Sequence, residues 1–403
     1  MKAAPHLTAT VLALLVLAAA LAGFNYYAVR LEQRYVNALA PLDLPQTING
    51  TALQLAALFR SDLLPVYGSS EITLITTPYD AERFFAAYPT GFTVFDVANL
   101  GASSLTMAQD LAALGPALQG KKVVISITPA PFTFSQITED YYAGNYSHLH
   151  AYGLIFSPDL SLELKSAAAG RMLAHPKTLR QDPFFEFTLS HMTDTKIQSR
   201  LVYGLLWPLG ELQTEVMRLQ DHAEVVRYVW GHRPNPNVAR LPQKINWAED
   251  FSAALAEQKL RSSSNPYGIE DWRWKLFQGR SKVPYPPGSG NAAFLQYLQN
   301  SEEWPDFNIL LDVLQELGAQ PLILSRPING RYWEAVGVSE QAQQAYYDKL
   351  QAVVDPYHVT LVDYQQYTNE IYFSIDSVSH TSRYGWVYVD QTLDDFFHGR
   401  IQP

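Results

Sequence analysis

The feature that most limits how this chain can fold is a repeated unit: a short apolar run, an abrupt polar or glycine-bearing loop, then a helical stretch. Leu63-Leu64-Pro65-Val66-Tyr67 stops at Gly68-Ser69-Ser70-Glu71. Residues 93–97 stop at Asn99-Leu100-Gly101 and lead into a helical segment over about 105–118, and residues 121–128 stop at Pro129. Short apolar runs bounded by turn residues read as strands buried on both faces, and three such units in series predict a parallel sheet with crossover helices. The rhythm returns near the C-terminus. A helix is expected over 308–317, a strand over 320–324 ending at Ser325-Arg326-Pro327, a helix over 340–354, a strand over 358–362 and a last helix over 388–397. Between these two blocks, residues of about 135–285 are rich in aromatics, His and Pro, with helical periodicity over 198–219. They read as a helical insertion that ends at a Pro/Gly-rich hinge over 283–290.

A second constraint lies at the N-terminus. Residues 7–29 are nearly all apolar, preceded by Lys2 and followed by Arg30 and Arg34. That is enough to cross a bilayer as one helix, which takes roughly 20 residues. Residues 1–30 are therefore expected to form a transmembrane anchor, with residues 31–403 as an extracellular α/β domain. The rival reading is a cleaved signal peptide, because Ala20-Leu21-Ala22 has the small-x-small form of a cleavage site. The apolar run continues through Phe24 to Val29, which favours a retained anchor, and both readings put the rest of the chain outside the cell. With 403 residues there is room for one large α/β domain carrying an insertion. The absence of cysteine rules out a disulfide framework, a thiolate metal site and a cysteine nucleophile. A net charge of −10 argues against nucleic acid as a partner, so an anionic polymer would have to be met by a local basic patch.

Two motifs could carry chemistry. Gly68-Ser69-Ser70-Glu71 falls where a strand gives way to a loop, and parallel α/β sheets bind ligands at the carboxyl ends of their strands. A glycine there lets the chain turn sharply and expose a serine hydroxyl beside backbone N–H groups that can stabilise an oxyanion. Near the C-terminus, Asp376-Ser-Val-Ser-His380 brings an acid close to a histidine, and a histidine oriented by a carboxylate can take a serine proton. Each motif alone is more often a turn or a capping feature. Together they place a nucleophile after the first strand and a base with its acid at the end of the domain, the chain order of the SGNH/GDSL hydrolases. In that superfamily the loop after the second strand, here Asn99-Leu100-Gly101, supplies a backbone oxyanion donor.

Further landmarks are Thr128-Pro-Ala-Pro-Phe-Thr133 after the third strand, Pro327-Ile-Asn-Gly-Arg-Tyr-Trp333, and His380 followed by Gly385-Trp386 and Val-Tyr-Val-Asp. Taken in order with the N-terminal apolar segment and Gly-Ser-Ser-Glu, they span nearly the whole chain, and on them it resembles the DltD family. The resemblance implies an SGNH-hydrolase-like parallel sheet flanked by helices. It also implies a serine-dependent acyltransferase that moves D-alanyl groups onto lipoteichoic acid at the outer face of the membrane. Ser70 would be the nucleophile, His380 the base and Asp376 its orienting acid, with the amides of Ser70 and Gly101 as oxyanion donors. No cofactor is implied. The implied partners are the membrane-bound acyltransferase DltB, the D-alanyl carrier protein, lipoteichoic acid and the membrane.

The chain departs from the family pattern in two places. The family has Asp-x-x-His where this chain has three residues between Asp376 and His380, which leaves Asp363 as a substitute acid. The family's Gln-Trp after the proline is replaced by Ala130-Pro131. Arg326 and Arg331 flank the Pro-Ile-Asn-Gly turn and could hold polymer phosphates bidentately, or serve as structural ion pairs. His148-x-His150 has no third ligand at a suitable spacing and reads as a loop pair, not a metal site. Two other functional classes fit the same residues: an O-acetyltransferase or esterase of an exported polysaccharide, and a non-catalytic scaffold for a membrane acyltransferase.

Overall fold

Among the described residues, five short strands form one parallel sheet in the order β2-β1-β3-β4-β5: β1 (Leu63–Gly68), β2 (Thr93–Ala98), β3 (Lys122–Ile127), β4 (Gln320–Ser325) and β5 (Thr360–Val362). The structure is a computed structural model and describes residues 5–42, 44–45, 48, 50–73, 76–133, 137–237, 242–277, 283–378 and 380–401. Every residue of β1 is buried, as its unbroken apolar sequence requires of a strand covered on both faces. Alternate residues serve opposite faces. Leu63, Tyr67, Val123, Ile125 and Ile323 join one core, while Leu64, Val66, Val124, Leu322 and Leu324 join the other. The β1–β3 ladder is limited to Val66 and Tyr67 and begins after Pro65, a residue with no N–H to donate.

Between β3 and β4 the chain runs through successive helices, from Ala130–Thr133 to Glu303–Glu316. The periodicity seen over 198–219 belongs to a longer helix, Ile197–His232, which continues through Pro208. The helix expected over 105–118 is shorter. It runs Ser104–Ala112, and a separate 3₁₀ turn, Gly115–Leu118, follows with Gly115 at φ +54° and Pro116 beside it. The last helix starts earlier than expected, at Arg383, because the Ser382 hydroxyl caps it by accepting from the Gly385 amide at 2.9 Å. The helix expected from 308 likewise begins at Glu303.

The N-terminal helix, Pro5–Leu39, is long and apolar enough to cross a membrane, with a mean hydropathy of 2.4 over its most apolar stretch. It divides into two parts. Residues 6–23 are exposed throughout, whereas Ala28, Leu31, Val36 and Leu39 are buried in the core. Glu32 meets His222 at 2.7 Å, and the Trp230 indole N–H donates to the Tyr27 hydroxyl at 3.0 Å, fastening this second part to the Ile197–His232 helix.

Candidate active site

In a parallel sheet all strand C-termini emerge on one side, and β2, β1 and β3 are neighbours, so the loops after them converge. The strand order reverses direction between β1 and β3, the place where open α/β sheets form a crevice. A cleft of about 400 Å³ lies there. The β1 loop supplies Ser69, Ser70 and Glu71, the β2 loop Leu100, Gly101 and Ala102, and β3 with its loop Ser126, Ile127, Thr128, Ala130 and Pro131.

Gly68 leads into the turn at Ser70, and a Cβ there would crowd the ends of the Ile72 and Glu71 side chains. Glu71 is buried and holds the turn by accepting from the Ser69 amide at 2.9 Å. The Ser70 hydroxyl is then 2.9 Å from His380 Nε2, and His380 Nδ1 is 2.6 Å from Asp376 Oδ2. Gly101 lines the same cleft with φ +77°, a backbone conformation that glycine adopts without strain. Among the described residues, the Ser70 and Gly101 amides have no acceptor.

Asp376 reaches His380 although three residues separate them, because the segment folds back on itself. Ser374 and Thr381 form an antiparallel bridge, the Ile375 amide donates to the His380 carbonyl at 2.9 Å, and the Ser382 amide donates to the Phe373 carbonyl at 3.0 Å. At the tip, Asp376 Oδ1 accepts from the amides of Val378 at 3.0 Å and His380 at 3.2 Å, which leaves Oδ2 for the imidazole. Asp376 is fully buried, and Asp363 is engaged elsewhere, accepting from the Gln365 amide. The Pro-Ile-Asn-Gly segment braces this loop from behind. Asn329 Nδ2 donates to the Tyr267 carbonyl at 3.1 Å and lies 3.5 Å from the Asp376 carbonyl, and the Trp333 indole donates to the Ser377 carbonyl at 3.2 Å.

The two arginines singled out in the sequence part company. Arg326 is only 1% exposed, so it does not offer a phosphate-binding fork to solvent. Its Nε donates to the Thr381 hydroxyl at 2.7 Å and its guanidinium lies 5.2 Å from the centre of the Trp386 ring. Burial pulls its pKa down. A strand end that looks like a surface turn is here covered by the C-terminal helix, and Arg326 supports the histidine loop from beneath. Arg331 is exposed, but it does not line the cleft. His148 and His150 stand at the start of a helix, His148–Ile155, and His150 is buried against Asp110.

Two charged cleft residues were not singled out in the sequence. Arg273, on the helix Asp271–Phe277, comes within 3.6 Å of Asp376 Oδ2. Glu303 accepts from the Ser104 amide at 2.8 Å and the Ser104 hydroxyl at 2.6 Å, and burial pushes its carboxyl pKa up to about 8, with Asp306 adding to the shift. Both come from the helical stretch between β3 and β4, where no local motif marks them. Apolar side chains complete the walls, among them Met107, Phe132, Ile137 and Tyr141. A hydroxyl–imidazole–carboxylate chain open to such a cleft, with two amides free beside it, has the components of acyl transfer: an activated nucleophile, a proton carrier and donors for an oxyanion.

The chain is similar to known proteins over most of its length. It is 26% identical over 357 residues to Protein DltD of Bacillus subtilis (strain 168), covering 88% of this chain and 87% of that one. It is 25% identical over 368 residues to Protein DltD of Staphylococcus aureus (strain NCTC 8325 / PS 47), covering 89% and 87%. The sequence profile described as DltD protein matches residues 44–398, a span that contains all five strands, Ser70, Gly101, Asp376 and His380. The chain belongs to the DltD family.

Proposed function

We propose that this chain transfers D-alanyl groups onto lipoteichoic acid at the outer face of the cell membrane, through an acyl-serine intermediate on Ser70. The observation that carries the proposal is the unbroken chain Ser70 Oγ–His380 Nε2–Asp376 at 2.9 and 2.6 Å, opening on the cleft of a DltD-family protein. His380 takes the Ser70 proton as Oγ attacks the carbonyl carbon of an activated D-alanyl ester. Charge develops on the carbonyl oxygen, where the amides of Ser70 and Gly101 meet it. The intermediate collapses, the donor's leaving group takes the proton from His380, and the acyl group stays on Ser70. A glycerol hydroxyl of the polymer then repeats the sequence. Its proton passes to His380, the acyl–Ser70 bond breaks, and the proton returns to Ser70 Oγ.

Asp376 holds the imidazole in the tautomer that presents Nε2 as the base. The apolar walls limit water's access to the ester, which lets a polymer hydroxyl compete. Arg273 is the cation this cleft offers to an acceptor phosphate, a role the sequence had suggested for Arg326 and Arg331. The N-terminal helix would keep the cleft on the same surface as a lipid-linked acceptor and the membrane-bound acyltransferase DltB, raising their effective concentration.

The test is the amount of cell-envelope D-alanine ester, released by mild base, in a strain lacking the gene and complemented with wild type or Ser70→Ala. Only wild type should restore the esters. Restoration by both would make the protein a scaffold, and restoration by neither, with both expressed, would point to a different acyl group such as acetyl.

A further inference from the structure

Glu303 is a carboxyl group that the transfer chemistry above leaves without a role, yet it lines the same cleft as Ser70, Gly101 and His380. It is 5% exposed. One oxygen, Oε1, is saturated by the amide and hydroxyl of Ser104, at 2.8 and 2.6 Å. The other, Oε2, is buried and has no hydrogen-bond partner among the described residues. Buried polar atoms are almost always paired, so an orphan in a cleft wall marks a place where a ligand group belongs.

The surroundings say which kind of group. The nearby Arg171 acts on Glu303 only through space, since its hydrogen bonds go to Asp306 at 2.6 Å and Glu302 at 3.1 Å and none reaches Oε2. Arg273, the cation in the cleft wall, lies against Asp376. Burial and Asp306 raise the Glu303 pKa, and the opposing pull of Arg171 and the Ser104 hydrogen bonds does not cancel that rise, so the carboxylate is under-compensated where it stands. A ligand that brings both a hydrogen-bond donor and a positive charge satisfies both deficits. An α-aminoacyl group has such a donor, its ammonium, one carbon away from the carbonyl that Ser70 attacks. A simple acyl group such as acetyl has none.

We propose that Glu303 is the ammonium-recognition residue of this cleft: Oε2 accepts from the α-ammonium of the aminoacyl group as it is carried on Ser70, and so selects aminoacyl over simple acyl donors. The inference rests on the acyl-serine reading and deepens it by naming the residue that distinguishes D-alanyl from acetyl. No net proton is needed. A neutral acid and a neutral amine form the same ion pair when the Oε2 proton moves to nitrogen.

The experiment uses the full-length protein in detergent with two small thioesters, D-alanyl and propionyl N-acetylcysteamine, which differ only by the amine. Turnover is followed as kcat/KM, and the acyl adduct on Ser70 by intact mass, in wild type, Ser70→Ala, Glu303→Gln and Ser104→Ala. Wild type should prefer the D-alanyl ester, and Glu303→Gln should lower the D-alanyl to propionyl ratio by about tenfold or more. Gln keeps an acceptor for Ser104 and removes the charge. Ser104→Ala, which weakens the contact to Oε1 and not Oε2, should leave the ratio as it was. An unchanged ratio in Glu303→Gln, or an equal loss on both esters, would overturn the inference and leave Glu303 as a support for the Ser104 helix end. A wild type without preference overturns it with no substitution needed, while the adduct on Ser70 still upholds the acyl-serine step. Absence of an adduct from either ester would defeat the acyl-serine reading, and this inference with it.

Discussion

At the scale of single residues, the catalytic proposal depends on how Asp376 divides its two oxygens. Oδ1 closes the turn by accepting from the amides of Val378 and His380, and Oδ2 faces the imidazole. Asp376→Asn preserves the turn, since Asn Oδ1 can accept the same two amides. Its NH₂ group, however, presents a donor to His380 Nδ1 and favours the tautomer that puts a proton on Nε2, where Ser70 needs an acceptor. Acylation of Ser70 should fall by about 10²–10⁴-fold with little change in Tm. A rate within threefold of wild type, measured by acyl-adduct formation, would show that Asp376 is dispensable. The sequence exposed this set because each member sits in a local motif, Ser70 at the end of β1, and Asp376 and His380 in the stretch between β5 and the last helix. It left Arg326 open between a phosphate contact and a structural role, and burial leaves the structural one; position after a strand says nothing of what packs over it. Glu303 and Arg273 carry no local signature at all, and only the fold brings them to Ser70.

At the scale of elements, the strands were legible nearly to the residue because each is a continuous apolar run with a sharp stop. Helix ends were less so. Ser382, Ser103 and Ser339 each cap a helix through their hydroxyls, and in the first case that signal lay several residues before the apolar pattern began. How helices fasten to one another was not legible. His222 on the long Ile197–His232 helix meets Glu32 on the N-terminal helix, a contact between residues far apart in sequence. Burial works against the charged form of His222, but Glu32 first, with Asp221 and Glu215, together more than offset it, so the folded-state pKa is raised above the ordinary value of 6.5. A raised histidine pKa contributes stability that is fully present below about 6.5 and is lost as pH rises through the folded-state value. His222→Gln should therefore lower Tm more at pH 6 than at pH 9, with the gap to wild type narrowing between. A gap that is constant or widens with pH would mean that the pair does not hold these helices together by charge.

At the scale of the whole molecule, one helix belongs to two environments. The exposed residues 6–23 contribute nothing to the core, and their apolar side chains, Leu7, Val11, Leu12 and Leu14 among them, face outward with no protein against them. From Ala28 onward the same helix fills the core with Leu31, Val36 and Leu39. Because no break separates the halves, whatever holds the first half sets the position of the second, and through it the whole sheet. This division predicts two different truncations. A chain beginning at Phe24 keeps every buried residue of the helix, so it should be folded and water-soluble. It should turn over the small D-alanyl thioester within about twofold of the full-length rate, because effective concentration at a surface does not affect a soluble substrate. In cells, retained outside the membrane as a secreted protein, it should restore little of the D-alanine ester. A chain beginning at Ala40 loses the buried half as well. Removing several large buried side chains costs about 2–5 kcal/mol each in comparable cores, against a total stability of about 5–15 kcal/mol. It should fail to fold, seen as loss of a cooperative melting transition. Full ester levels from the secreted chain starting at Phe24 would mean that the apolar half serves export alone and that the protein acts without being held at the membrane.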